Sequence, residues 1–138
     1  MRSQYAVAIH ILSMIALNPQ RTFSSEDLAS SVGTHAVVIR SIVKLLRAAG
    51  LVETHQGVAG IHLTHKPEEL TLLQVYRAVD APESVFRLHE RPNPQCSVGG
   101  NILDTLGSVF GGAQEVLDDY LAKVTLADVM SDLARRIG

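Results

Sequence analysis

Apolar residues recur every three to four positions through RSQYAVAIHILSMIAL, residues 2–17, and the recurrence stops at Asn18, Pro19 and Gln20. That spacing predicts a helix with one oily stripe, ended by residues that do not continue it. FSSEDLASSVG follows. Ser24 or Ser25 can cap a second helix, whose first turn then carries Glu26 and Asp27, acids that a helix N-terminus favours. Gly33 ends that helix, and a third is expected from Thr34 to Gly50, a residue type suited to a C-terminal stop. Two short helices meeting at a glycine, the second longer than the first, make the helix-turn-helix pattern.

The period then changes. In LVETHQGVAGIHLTHKP, residues 51–67, the segments LVET and IHLT alternate apolar with polar, and glycines lie between them. This predicts a β-hairpin, the wing of a winged helix. PEELTLLQVYRAVDAP returns to helical spacing, with Thr71 as its cap and Pro82 as its stop. Residues 82–97 hold three prolines and little periodicity, so a loop is expected there. A long helix should run from Val98 to about Lys123, and Thr125 should cap a short last one.

Winding residues 34–49 at about 100° per residue separates them into two arcs. With Arg40 at the origin, Ile39, Ile42, Val43 and Leu46 fall between about −60° and −160°, with Leu45, Val38 and Ala49 at about 140° to 180°, while Lys44 and Arg47 fall within about 40° of Arg40. All the cations share one face, and the helix contains no acid to pair with them. A solvated helix face more often mixes signs. A face of this kind suits the major groove of DNA, which accepts one helix with its N-terminal residues nearest the base edges. Thr34, His35, Val37 and Val38 would then sit deepest, with either valine able to pack on a thymine methyl. Arg40 could meet a guanine edge or a phosphate, and Ser41 either; Lys44 and Arg47 suit phosphate.

Composition adds three limits. The 138 residues suffice for one ordinary domain or a small domain with an appendage, and 46% hydrophobic against 19% charged is enough to bury a core. Neither a membrane-length apolar run nor the series of segments that makes a secretory signal is apparent. The single cysteine, Cys96, excludes an intrachain disulfide and makes the cytoplasm the expected setting. The net charge of −2 conceals an asymmetry: residues 1–66 carry six Lys/Arg against three Asp/Glu, and residues 67–138 carry six against eleven. A basic front half suits a polyanion, and an acidic back half suggests a different task.

From SSEDLASSVGTHAVVIRSIVKLLRAAGLVETHQGVAGIHLTHKPEELTLLQVYRAVD, residues 24–80, the chain resembles the winged-helix domain of Rrf2-type bacterial transcriptional regulators. VGT before VVIR, LRAAGLV leading into the wing, and LTLLQVYRAVD after it carry the likeness. The opening MRSQYAV and the proline-rich loop before a long helix extend it over nearly the whole chain. The resemblance implies a dimeric DNA-binding repressor or activator, with the long C-terminal helices forming the dimer and a nearby loop sensing a signal. On the same analogy His35, Val37, Val38, Arg40, Ser41 and, at the wing tip, Gln56 are expected to meet DNA. Two departures stand out. Cluster-binding members carry three cysteines before the long helix, whereas here only Cys96 has a counterpart, so no iron–sulfur cluster is expected. Related wings bring an arginine to the turn, whereas this one has His55 and Gln56.

Cys96 lies where the resemblance puts the sensor, just before the expected long helix, whose N-terminus would favour the thiolate. A redox or thiol response through Cys96 is therefore expected, the alternative being a small side chain tucked under a loop. The six histidines show no convincing zinc spacing, and no metal site is expected. The acids of the last helices are scattered, Cys96 has no assignable base, and the glycine pairs 99–100 and 111–112 lie inside a helical pattern rather than a phosphate loop, so no enzyme is expected. Ile102, Leu103, Leu106, Val109, Phe110, Val116 and Leu117 carry more oil than one side of a monomer needs.

The expected fold is mainly α with a small β-wing: a winged helix-turn-helix DNA-binding domain over residues 1–81, a candidate sensor loop over 82–97 and dimerisation helices over 98–138. The expected function is a homodimeric transcriptional regulator, a repressor, occupying a double-stranded operator through Thr34, His35, Val37, Val38, Arg40, Ser41, Lys44, Arg47, His55 and Gln56. The competing reading is a winged-helix protein–protein module without DNA binding, favoured by the acidic balance and the charge-poor wing.

Overall fold

A computed structural model describes residues 3–55, 59–80 and 85–138. Along the chain these form α1 (Gln4–Leu17), α2 (Ser25–Val32), α3 (Ala36–Ala48), β1 (Val52–Glu53), β2 (His62–Leu63), α4 (Leu72–Val79), α5 (Ile102–Leu121) and α6 (Leu126–Ile137). The strands pair antiparallel, Val52 opposite Leu63 and Glu53 opposite His62. The mainly helical winged-helix expectation holds.

Three helices begin on the same device. Ser24 accepts from the Asp27 N–H while the Asp27 carboxylate accepts from the Ser24 N–H, and the pairs Thr71/Gln74 and Thr125/Asp128 repeat the arrangement at α4 and α6. Each box satisfies two backbone donors that the first turn leaves unpaired. Of the two serines that could cap α2, Ser24 is the one used.

The core gathers around α1. Ile11 and Leu12 of α1, Phe23, Leu28 of α2, Ile39 and Leu46 of α3, Leu70 and Val75 all lose essentially their whole surface to one another. Tyr5 donates its hydroxyl to the Leu72 carbonyl at 2.6 Å, which ties α1 to the start of α4. Burial pushes the Tyr5 phenol up to about 12, with the neighbouring Tyr76 and Asp80 adding to the effect. The chain end returns to the same core. The Leu72 N–H donates to the Val124 carbonyl and the Leu126 N–H to the Leu70 carbonyl, both at 2.8 Å, and Leu126 is fully buried. α6 thus lies along α1 rather than trailing from α5.

α5 stands apart, since none of its twenty residues is buried. It also begins later than the sequence pattern predicts. Residues 97–101 form turns, and the regular helix starts at Ile102, not Val98. The glycines explain this. Gly99 and Gly100 are not inside the helix but in the turn, pressed against the backbone of Asn93 and Pro94; a Cβ at Gly99 would collide with the Asn93 carbonyl oxygen. Among the described residues no single helix is long and apolar enough to cross a membrane.

Candidate nucleic-acid interface

The turn between α2 and α3 is held by one acceptor. The Ala29 carbonyl receives the N–H groups of both Gly33, at 2.8 Å, and Thr34, at 3.1 Å. Gly33 takes a left-handed backbone with φ +82°, which glycine adopts without steric cost. The two helix axes turn through 109° there. His35 is extended and caps α3 through its backbone, so the helix starts at Ala36 and Thr34 lies in the turn before it, half-buried. The expected start at Thr34 is corrected by two residues: the extended geometry of His35 is what swings the chain into its new direction.

The centre of the apolar arc of α3 is buried as the spacing predicts, but Val38 and Ala49 at its edge are exposed. Ile39, Ile42, Val43 and Leu46 are buried, and Arg40, Ser41, Lys44 and Arg47 are exposed. His35 is exposed beside two valines that the core does not cover, Val37 at 66% and Val38 at 38%. Leaving apolar side chains in water forfeits about 25 cal/mol per Å² of burial, so neither valine contributes to the core here.

Two of the cations have partners that the helix alone does not supply. The Arg40 Nη1 lies 3.4 Å from the Glu26 Oε1 at the start of α2, and the Arg47 Nη1 donates to the Thr54 Oγ1 at 3.0 Å, just beyond β1. In the wing, the His55 Nε2 lies 3.4 Å from the Glu53 Oε1. Gln56 lies outside the described residues. Glu26 and Thr54 are the residues that sequence reasoning missed. Glu26 had an adequate local explanation in the helix dipole, and no spacing rule connects residue 26 with residue 40.

Cys96 is exposed. Its carbonyl accepts from the Gly100 N–H at 2.8 Å, and the N–H groups of Gly99 and then Val98 hold its thiol below the usual cysteine range. The expected effect on the thiol therefore comes from the glycine turn that precedes α5, not from the first turn of a helix starting at Val98. Among the described residues no three His, Cys, Asp or Glu side chains come together. With one thiolate per chain, the donor set does not fit an iron–sulfur cluster, which is usually held by several.

A model of the Rrf2 family, described as an iron-dependent transcriptional regulator, matches residues 1–132. The chain is 43% identical over 131 residues to YwnA of Bacillus subtilis (strain 168), a provisionally assigned HTH-type transcriptional regulator, covering 95% of this chain and 97% of that one. A crystal structure of a provisionally assigned DNA-binding protein superposes with a TM-score of 0.76 at 38% identity, covering 93% of this chain and 99% of the other. CymR, the global cysteine regulator of B. subtilis, shares the fold with a TM-score of 0.66 at 21% identity over 95% of each chain.

Proposed function

The chain belongs to the Rrf2 family of transcriptional regulators, and from that premise we propose that it is a cytoplasmic homodimeric repressor laying α3 in the major groove of a pseudo-palindromic operator. The observation that carries this reading is the division of α3 into buried Ile39, Ile42, Val43 and Leu46 and a cationic face holding Arg40, Lys44 and Arg47, with His35, Val37, Val38 and Ser41 exposed towards its N-terminal end. The N-terminal end, from the turn at Thr34 to Ser41, meets base edges, and Lys44 and Arg47 meet phosphate. His55 and Gln56 extend the contact from the wing. The site binds DNA without cofactor or metal.

Dimerisation runs through α5. Val109, Val116 and Tyr120 are more than half exposed, and Ile102, Leu103, Leu106, Phe110 and Leu117 are only half-buried. An apolar stripe of that length on a helix with no buried residue needs a second protein surface, and a copy of itself places two α3 helices for two half-sites. The loop before α5 is the sensor: oxidation or mixed-disulfide formation at Cys96 alters the geometry between the two α3 helices.

The test is titration of a genomic upstream fragment and of an unrelated duplex over a range of salt concentrations. The expected result is tighter binding to the former, with affinity for both falling steeply as salt rises. Salt-insensitive binding, or none, would favour the protein–protein module instead.

A further inference from the structure

The pair between Glu26 and Arg40 is the part of this surface that the reading above leaves unexplained. Glu26 stands in the first turn of α2, on a backbone fixed by the Ser24/Asp27 box, and reaches across the 109° angle to the middle of the exposed arc of α3. Both side chains are mostly in water, so the contact adds little to the fold. Its geometry is more informative than its strength. Among the described residues only Nη1 of Arg40 finds a partner, at 3.4 Å, whereas a guanidinium carries five N–H donors in a planar fork. One corner is held and the rest of the fork is left to meet something else.

The partner that Glu26 permits is not arbitrary. A phosphate brought to Arg40 would lie close to the Glu26 carboxylate and be repelled by it. A guanine edge carries no net charge and presents O6 and N7 to a fork, so the carboxylate can stay in place and the two contacts reinforce each other. Lys44 and Arg47 differ on this point, since among the described residues Lys44 pairs with no acid from any element and Arg47 leans on a neutral hydroxyl. We infer that Glu26 is a specificity-determining positioning residue, which holds Arg40 by one corner so that it reads guanine and is kept from the phosphate backbone.

This inference rests on the DNA-binding reading, and its test separates the two. Randomised duplexes are selected with wild type, Glu26→Gln, Glu26→Asp, Arg40→Ala and the Glu26→Gln/Arg40→Ala double variant, and the bound pools are sequenced. Affinity for one scrambled duplex is then measured against salt. Glu26→Gln is expected to lower the strongest guanine preference about two- to fivefold, the range an exposed ion pair accounts for. It should also tighten binding to the scrambled duplex and steepen its salt dependence by up to about 0.9 in log–log slope. Glu26→Asp keeps a charge at the helix N-terminus but withdraws it from Arg40, and is expected to behave like the Gln variant. In the Arg40→Ala background, Glu26→Gln should leave base preference unchanged.

A guanine preference undiminished in Glu26→Gln, an Asp variant that behaves as wild type, or an equal change in the Arg40→Ala background would each overturn the inference and leave DNA binding standing. Wild type that selects no duplex would overturn the DNA-binding reading and this inference with it.

Discussion

α3 and α5 both leave oil in water, but they are opposites in charge. α3 carries Arg40, Lys44 and Arg47 with no acid; α5 carries Asp104, Glu115, Asp118 and Asp119 with no cation. α3 buries Ile39, Ile42, Val43 and Leu46 and leaves Val37 and Val38 exposed, whereas α5 buries nothing. On the proposed reading, the cationic face of α3 suits a groove between phosphates, and a long apolar stripe among acids suits another protein surface and repels DNA. The contrast teaches that exposed hydrophobic side chains are not one kind of signal. Their charged neighbours decide what covers them.

The largest expected effect tests what joins the two regions. Leu126, fully buried after α5, anchors the chain end in the core that also supports α3. Leu126→Ala should cost about 2–5 kcal/mol of stability in a denaturant titration. A change below about 1 kcal/mol would mean that the C-terminal helices are held otherwise.

Next comes α5 itself. Val116 is 71% exposed in the single chain, so a charge there should be harmless if the stripe stays in water. If a second copy covers it, Val116→Asp should weaken the dimer by about 2–3 kcal/mol, seen as monomer in sedimentation at micromolar concentration with the helical signal unchanged.

On α3 the effects are smaller and should divide by kind. Lys44→Ala should weaken every duplex alike and lower the log–log salt slope by about 0.9. Val38→Ala should leave that slope alone and shift base preference at one position by about 1 kcal/mol or less. If both variants act identically, the separation of base-facing from phosphate-facing residues fails.

The smallest effect concerns the loop between the two regions. Because the Gly99 and Val98 N–H groups stabilise the thiolate, the midpoint of the pH profile for Cys96 alkylation should lie below that of an ordinary cysteine. The sign follows from the charged form being favoured: thiolate is present at lower pH and is lost only as the pH falls through the depressed value. Gly99→Ala, which would drive Asn93 away and distort the turn, should bring the midpoint back up.

Much of this molecule was legible in its sequence. Ile39, Ile42, Val43 and Leu46 are buried where 3.6-residue spacing placed them, although Val38 and Ala49 at the edge of the same apolar arc are exposed, and Thr71 and Thr125 cap the helices they were expected to cap. What was missed lies at contacts between elements. The glycine pair at 99–100 looked like part of a helix because spacing counts apolar residues and says nothing of the Asn93 carbonyl that Gly99 must pass. Arg40 looked unpaired because its acid stands on a different helix, fourteen residues earlier.

The sequence by itself determined which side of α3 faces the core, that its cations share another face, and which segments form helices, though not where α3 and α5 begin. These follow from rotation per residue and from the chemistry of caps, and both act within a few positions. The tertiary structure alone decided that Glu26 meets Arg40, that Thr54 meets Arg47, and that Leu126 returns to the first helices. Such contacts depend on how elements cross in space, on the 109° turn at Gly33 and on the Leu70–Leu126 hydrogen bond, and no local period records them.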